Sequence, residues 1–543
     1  MRRILWIAGL VVALLVMVAL LVPAIVDVNA YRPQIEQQLS AAGGKKVHLG
    51  PMTLSVVPPI TLRISDVTVQ DPEYPENQPL MQASSMEIRV DPWAYLQGRT
   101  EVTSVRLAKP RITLRKSPGG MNASRSTPAG SAGASANTST GTPTKVSNIR
   151  LDDMTVVLFD EQSSVDTPLF SLENADLAMP EFDPTLMENP FQIKATMDFT
   201  DATLTTQLIP EPLHFDSGTG EAGNNRFDLN DIRASVQDSS ITGKISAAPL
   251  DKPAVTFQLH FQEVDFRKLQ GWLKAKDSSA RSDEPFKSSV ENIPQTEFKL
   301  KLGGTLTSER TLLGSKVVEN TSATIRVEDN LIVIDEFKGN LYSGTISSSG
   351  QVSLNAKNPA YQFRSALHGV NLGRLLEEQG KPERLTGQLD AEAQISGAGL
   401  PRGADDLFSN LRGSGRFAIT QGSLKTFNLL EKLKILSILP ILKVVEGPMT
   451  SFASLKSDFR INGRRIETDR MLLDTGMLKL ALSGYCTLDE ELDYIAKADE
   501  GGGQDQGSLV DSILGMVARN INNNVEFRLR GTLSHPEVVA YRR

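Results

Sequence analysis

Gly218-Thr219-Gly220-Glu221-Ala222-Gly223 has the spacing of a phosphate-cradling loop, G-x-G-x-x-G. Such a loop holds a dinucleotide only where a strand leads into it and a helix begins at its end. There the bare backbone and the helix N-terminus supply the donors for the pyrophosphate. Here the chain continues as NNRFDLNDIRASV, turn-like and then strand-like. The segment is read as a loop that binds no nucleotide. The five histidines stand at 48, 214, 260, 368 and 535, without metal-ligand spacing. His260 and His368 are read as strand residues. Cys486 is the single cysteine, so no disulfide or cysteine metal site forms within the chain. No G-x-S-x-G elbow, HExxH pair, EF-hand or Walker loop is present. Carboxylates are plentiful and most fit a solvated face. A glycosidic pair about 5–9.5 Å apart stays open as a reading. The expectation is a protein that is not an enzyme and that holds no cofactor or metal.

The balance of charge is 57 basic against 64 acidic residues, −7 overall, with no basic patch interleaved with aromatics. That argues against nucleic-acid binding. At the N-terminus, Arg2 and Arg3 precede a run from Ile4 to Val26 with no charged residue, and Asp27 ends it. At about 1.5 Å per residue this run makes a helix of about 35 Å, enough to span the hydrocarbon core. A signal peptide has a shorter core, of roughly 7 to 15 residues. The positive-inside rule puts the N-terminus in the cytoplasm and the chain from residue 27 on the other side. Residues 1–26 are thus expected to be a cytoplasmic tip and a transmembrane anchor.

The elements beyond the anchor follow from periodicity. AYRPQIEQQLSAAGG reads as a short amphipathic helix closed by Gly43-Gly44. PMTLSVVPPITLRISDVTV alternates as strands, and TSVRLAKPRITLRK reads as another strand pair. Residues 27–116 are taken as one segment. Residues 117–145 contain almost only small and turn-forming residues and are read as a flexible linker. Residues 146–543 read as strand after strand, with a mobile loop at 275–289 and a distinct C-terminal region from about 385. LTGQLDAEAQISG places Leu385, Leu389 and Ile395 on one face and Asp390 and Glu392 on the other. MLKLALSG does the same with Leu478, Leu480 and Leu482, and VEFRLRG with Val525, Phe527 and Leu529. Clean alternation means one wet and one apolar face, as in antiparallel sheets. Residues 429–445 and 508–521 are the remaining helix candidates, read as caps over a sheet edge.

The chain also repeats itself. Gly243 to Leu269 aligns with Gly350 to Leu375 with one gap. Residues 326–354 align with 460–488 with none, through Arg326/Arg460, Ile332/Ile466, Ser349/Ser483, Gly350/Gly484 and Leu354/Leu488. The repeated text is read as a module of strands stacked end to end.

VDVNAYRPQIEQQLSAAGGKKVHLG after an apolar helix resembles the opening of the AsmA family of bacterial envelope proteins. VPPITLRISDVTV is similar to the strand pair that follows there, and GQLDAEAQISGAG, GSGRFAITQGSLKTFNLL and SFASLKSDFRINGRRIETDRMLLDTGMLKLALSG to its C-terminal region. VEFRLRGTLSHPEV resembles its last strand. The resemblance implies a mainly β fold: a long twisted antiparallel sheet folded into an open taco-like groove, with few helices and one N-terminal transmembrane helix. It implies a protein held in the inner membrane through residues 4–26, with its bulk in the periplasm. It implies an apolar channel for phospholipid acyl chains and no catalytic residues. Leu385, Leu389, Ile395, Leu478, Leu480 and Leu482 are the candidate lipid-facing residues. The alternative is a non-enzymatic scaffold or assembly factor for outer-membrane or other envelope proteins, capturing strands on its edges. A hidden enzyme on a β scaffold ranks third.

Overall fold

The computed structural model describes residues 27–540 apart from 57–58, 73–78, 92–101, 118–119, 122–147, 161–167, 182–191, 207–208, 238, 251–253, 266–300, 314–315, 329–330, 354–359, 378–384, 399–409, 426–448, 477–478, 499–525 and 533–534. Among the described residues are 28 strands and two α-helices, α1 (Arg32–Gly43) and α2 (Leu372–Glu377), so the chain is mainly β as expected. The expected anchor, nearly all of the linker, the loop 275–289 and the helices 429–445 and 508–521 lie outside the described residues. No helix among the described residues is long and apolar enough to cross a membrane. The chain divides into two units, Met1–Leu259 and His260–Arg543.

In the first unit α1 ends where Gly44 takes a left-handed φ of 62°, which a residue without Cβ adopts at little cost. The segment before it is tied down by side chains that imitate a strand. Asn29 accepts a hydrogen bond from the Met52 N–H (2.8 Å) and donates one to the Met52 carbonyl (3.1 Å). Glu36 accepts from the Leu49 N–H at 2.7 Å. These bonds fix α1 to β1 (Lys46–His48) and β2 (Met52–Ser55), which both run antiparallel to β3 (Ile60–Gln70). β3 pairs in turn with β4 (Met81–Val90).

β5 (Val102–Ala108) and β6 (Arg111–Ser117) are not the strand pair that the sequence suggests. They follow one another along one line, broken at Lys109, whose φ is 48°. Both run parallel to β8 (Ile149–Asp160) in a single register, Val105 opposite Ile149 and Arg111 opposite Thr155. The sheet is therefore mixed, which corrects the purely antiparallel expectation. A parallel return needs a crossover of about a dozen residues or more. After β7 (Gly120–Met121), which turns back on β6, residues 122–148 supply that length. The strands before and after the linker thus belong to the same unit.

β8 pairs antiparallel with β9 (Phe170–Met179). β10 (Ala195–Asp198) and β11 (Ala202–Thr206) both lie between β9 and β12 (Ile209–Gly223). β13 (Arg226–Val236) and β14 (Ser239–Ala247) follow. Asp153, Asn174 and Asp231 have positive φ beside register shifts in these strands. Short polar side chains tolerate that conformation best.

β15 (Ala254–Asp265) runs through the point where the units divide. The second unit continues as an antiparallel meander. Its strands are β16 (Lys301–Leu313), β17 (Lys316–Glu328), β18 (Leu331–Leu341), β19 (Gly344–Ser353), β20 (Ala360–Asn371), β21 (Leu385–Ala398), β22 (Arg412–Leu424), β23 (Thr450–Asn462), β24 (Arg465–Asp474), β25 (Lys479–Thr487), β26 (Glu491–Ala498), β27 (Glu526–Thr532) and β28 (Pro536–Ala540). From β16 on, each pairs with the next.

The ungapped repeat is a repeat of structure. Val327 lies opposite Ile332, as Ile461 lies opposite Ile466. The register between β18 and β19 shifts from Ile334 to Phe337, and that between β24 and β25 from Thr468 to Met471, the same aligned positions. Arg326 grips Asp335 with two hydrogen bonds of 2.6 Å, and Arg460 grips Asp469 with two of 2.7 Å. The aspartates are themselves an aligned pair, which the five identities above leave out. Each arginine fork holds its aspartate below the usual carboxylate range.

Candidate functional site

β21 sets the geometry of the second unit's apolar face. Asp390, Glu392 and Gln394 are exposed on one side, while Leu389, Ala391, Ala393 and Ile395 are half-buried on the other. The wet side is paired rather than bare: Arg416 donates to Glu392 at 2.8 Å. Antiparallel pairing carries the apolar side across neighbouring strands. Ile395 lies opposite Phe363 of β20 and Gly413 of β22, and Leu389 lies opposite Val370 and Ile419.

The candidate residues separate into two groups on this face. Leu480 and Leu482 are 3% and 4% exposed in a cluster with Ile419, Phe452, Leu473, Leu492, Tyr494 and Phe527. Leu385 and Leu389 pack against that cluster from its margin. Among the described residues Ile395 belongs to no buried cluster, and no apolar side chain of β21 is fully buried. Leu478 lies outside the described residues. The structure thus gathers four of the six candidates around one apolar core and leaves Ile395 on the open part of the face.

The core has the chemistry of a dry interior. Desolvation pushes both the Tyr494 hydroxyl and the Cys486 thiol up, so both stay protonated. A thiol in that state is a poor nucleophile. The open part contains rings outside the candidate set, Tyr361, Phe363, Phe417 and Phe459. Their cross-strand neighbours are the signal that could have found them: Tyr361 faces Gly397, Phe363 faces Gly350 and Phe459 faces Gly415.

The remaining chemical candidates find structural places. Gly218, Gly220 and Gly223 lie in β12, a strand rather than the expected loop, and the next element is β13 rather than a helix. A Cβ at Gly220 would meet Phe199, Met197 and Phe227 at 3.1–3.2 Å, so the glycine makes room for core side chains. His260 hydrogen-bonds with Thr307 at 2.9 Å, and His368 stands 3.6 Å from Asp390. Among the described residues no group of three or more His, Cys, Asp or Glu side chains could hold a metal ion.

The model of the AsmA family matches residues 1–213 and 213–471. Protein AsmA of Escherichia coli (strain K12) is 22% identical over 239 residues, which are 39% of this chain and 36% of that relative. The chain therefore covers little more than a third of that relative's length. No solved structure matches.

Proposed function

Since the chain belongs to the AsmA family, we propose that it is a non-enzymatic protein of the bacterial envelope whose apolar β face binds phospholipid acyl chains. In this reading residues 4–26 anchor it in the inner membrane with the N-terminus in the cytoplasm. The bulk of the chain lies in the periplasm, its sheet folded as an open taco-like groove. Its role is lipid transport or outer-membrane homeostasis.

One observation carries the proposal: the inward side of β21 around Ile395 is apolar yet only half-buried, while the other side is charged. Apolar surface left partly exposed is surface that a ligand can cover. Each methylene removed from water contributes about 0.8 kcal/mol without needing a directed contact. A face that conducts a tail needs continuity more than it needs a motif.

The test uses residues 27–543, which keep Asp27 and Asn29, secreted without the anchor and purified without detergent. Mass spectrometry counts the phospholipid carried per chain. Bound phospholipid that is lost in Ile395→Asp supports the reading. A folded protein carrying none sinks it. The scaffold reading then takes its place, favoured by β28, which pairs with β27 and leaves Val539 37% exposed.

A further inference from the structure

On the open part of the second unit's face, aromatic side chains lie across glycines of the neighbouring strand. A Cβ added at Gly397 would fall 2.2 Å from the Tyr361 hydroxyl oxygen and 2.3 Å from Cζ of that ring. One at Gly350 would fall 2.4 Å from Cδ1 of Phe363, and one at Gly415 2.6 Å from Cζ of Phe459. No side chain other than hydrogen fits beneath a ring at those distances. The three pairs occupy adjacent strands from β19 to β23. Tyr361 and Phe363 have centroids 6.4 Å apart, and Phe459 lies 6.2 Å from Phe417. The closed core has a similar pair, Phe452 over Gly422, but Phe452 is buried there under other side chains. In the open part all three rings stay half-buried.

The same device therefore has two outcomes. In the core the ring is one more packed group. On the open part the ring stays partly exposed, and the glycine beneath it decides how high it stands. A ring laid over bare backbone adds about one van der Waals layer, roughly 3.5–4 Å. Pushed off the glycine, it projects into the space above the sheet. We propose that Tyr361, Phe363 and Phe459 are the floor on which an acyl chain rests, and that Gly397, Gly350 and Gly415 set the clearance above that floor. The inference rests on the lipid reading and adds the residues that touch the tail. It moves the contact away from the leucines of the core. Aromatic faces suit a passing tail, since they offer broad apolar contact.

Gly397 gives the cleanest test. Its three nearest atoms all belong to the Tyr361 side chain, so a larger residue there moves that side chain. Gly350 and Gly415 also face backbone carbonyls, of Gln362 at 2.4 Å and Glu392 at 2.2 Å, so substitution there disturbs the sheet itself. In the full-length chain in its membrane, Ile395 is replaced by a diazirine-bearing residue, and phospholipid adducts are measured after illumination. Gly397→Val is expected to lower the adduct yield about fourfold, the equivalent of losing one methylene contact. Adding Tyr361→Ala to Gly397→Val is expected to restore it, which a misfolded variant would not do. An unchanged yield in Gly397→Val, or no recovery in the double variant, overturns the inference while leaving the lipid reading in place. No adduct at position 395 in the otherwise unaltered chain overturns both.

Discussion

Leu389 and Ile395 stand on the same side of one strand, about 20 Å apart at 3.3 Å per residue, yet they live in different surroundings. Leu389 leans on a core closed by Leu480, Leu482, Tyr494 and Phe527, whereas Ile395 lies between Phe363 and Gly413 and belongs to no buried cluster among the described residues. One sheet face thus serves two purposes. Where later strands bring large side chains, the face closes and stabilises the fold. Around Ile395 the rings over glycine belong to no buried cluster among the described residues, and the face stays partly exposed.

The largest test of this contrast compares two phenylalanines. Phe527→Ala empties a site that is 1% exposed and is expected to cost about 3–5 kcal/mol. Phe363→Ala on the open face is expected to cost less, about 1–2 kcal/mol, since part of its surface already meets solvent and it belongs to no buried cluster among the described residues. Urea unfolding monitored by circular dichroism gives both values, and equal costs would break the distinction. Next come Leu389→Ala and Ile395→Ala, expected at about 2–3 and about 1 kcal/mol on the same scale.

The glycines of the repeat sharpen the comparison further. A Cβ at Gly484 would lie 2.1 Å from the Asp493 carbonyl oxygen, and one at Gly350 2.4 Å from that of Gln362. Each alanine variant should cost about 1–3 kcal/mol by overpacking. Gly484 should sit at the upper end, because its φ of 153° adds strain and its neighbour Tyr494 is buried. Thermal unfolding of the pair reads the difference.

The smallest expected effect is electrostatic, and it should not tell the regions apart. Asp335 and Asp469 are held below the usual carboxylate range by their arginine forks, in both copies of the repeat. A lowered folded-state value means stabilisation present above the unfolded value, near about 3.9, and lost as pH falls through the folded value. Asp335→Asn and Asp469→Asn should therefore weaken the fold slightly and equally near neutral pH, and differ from the parent progressively less in acid. Added salt should shrink both effects, because the forks are exposed. Melting curves across pH and salt provide the check, and unequal effects would separate the two copies.

Much of the fold was legible because alternation is local. The two sides of LTGQLDAEAQISG appear as read, and so does the helix after Asp27, although its Leu39 is 43% exposed; the ungapped repeat recurs in the structure with matched register shifts. What failed was long-range. Nothing near β5 and β6 states that their partner lies beyond residue 148 or that it runs parallel. The apolar side of β21 looks the same at Leu389 and Ile395, because closure depends on distant residues, from Leu480 to Phe527. The role of the floor rings is not legible in the sequence, because each is meaningful only beside a glycine on another strand. The glycine spacing at 218–223 misled for the same reason: its explanation is the rings of Phe199 and Phe227.

Thiol accessibility tests the division of the face most directly. In a Cys486→Ser background, Ile395→Cys and Leu482→Cys are each alkylated with a small maleimide, with and without added phospholipid. The account predicts that Ile395→Cys reacts in lipid-free protein and is protected by phospholipid, while Leu482→Cys resists in both conditions. Equal reactivity at the two positions, or no protection at 395, would contradict it.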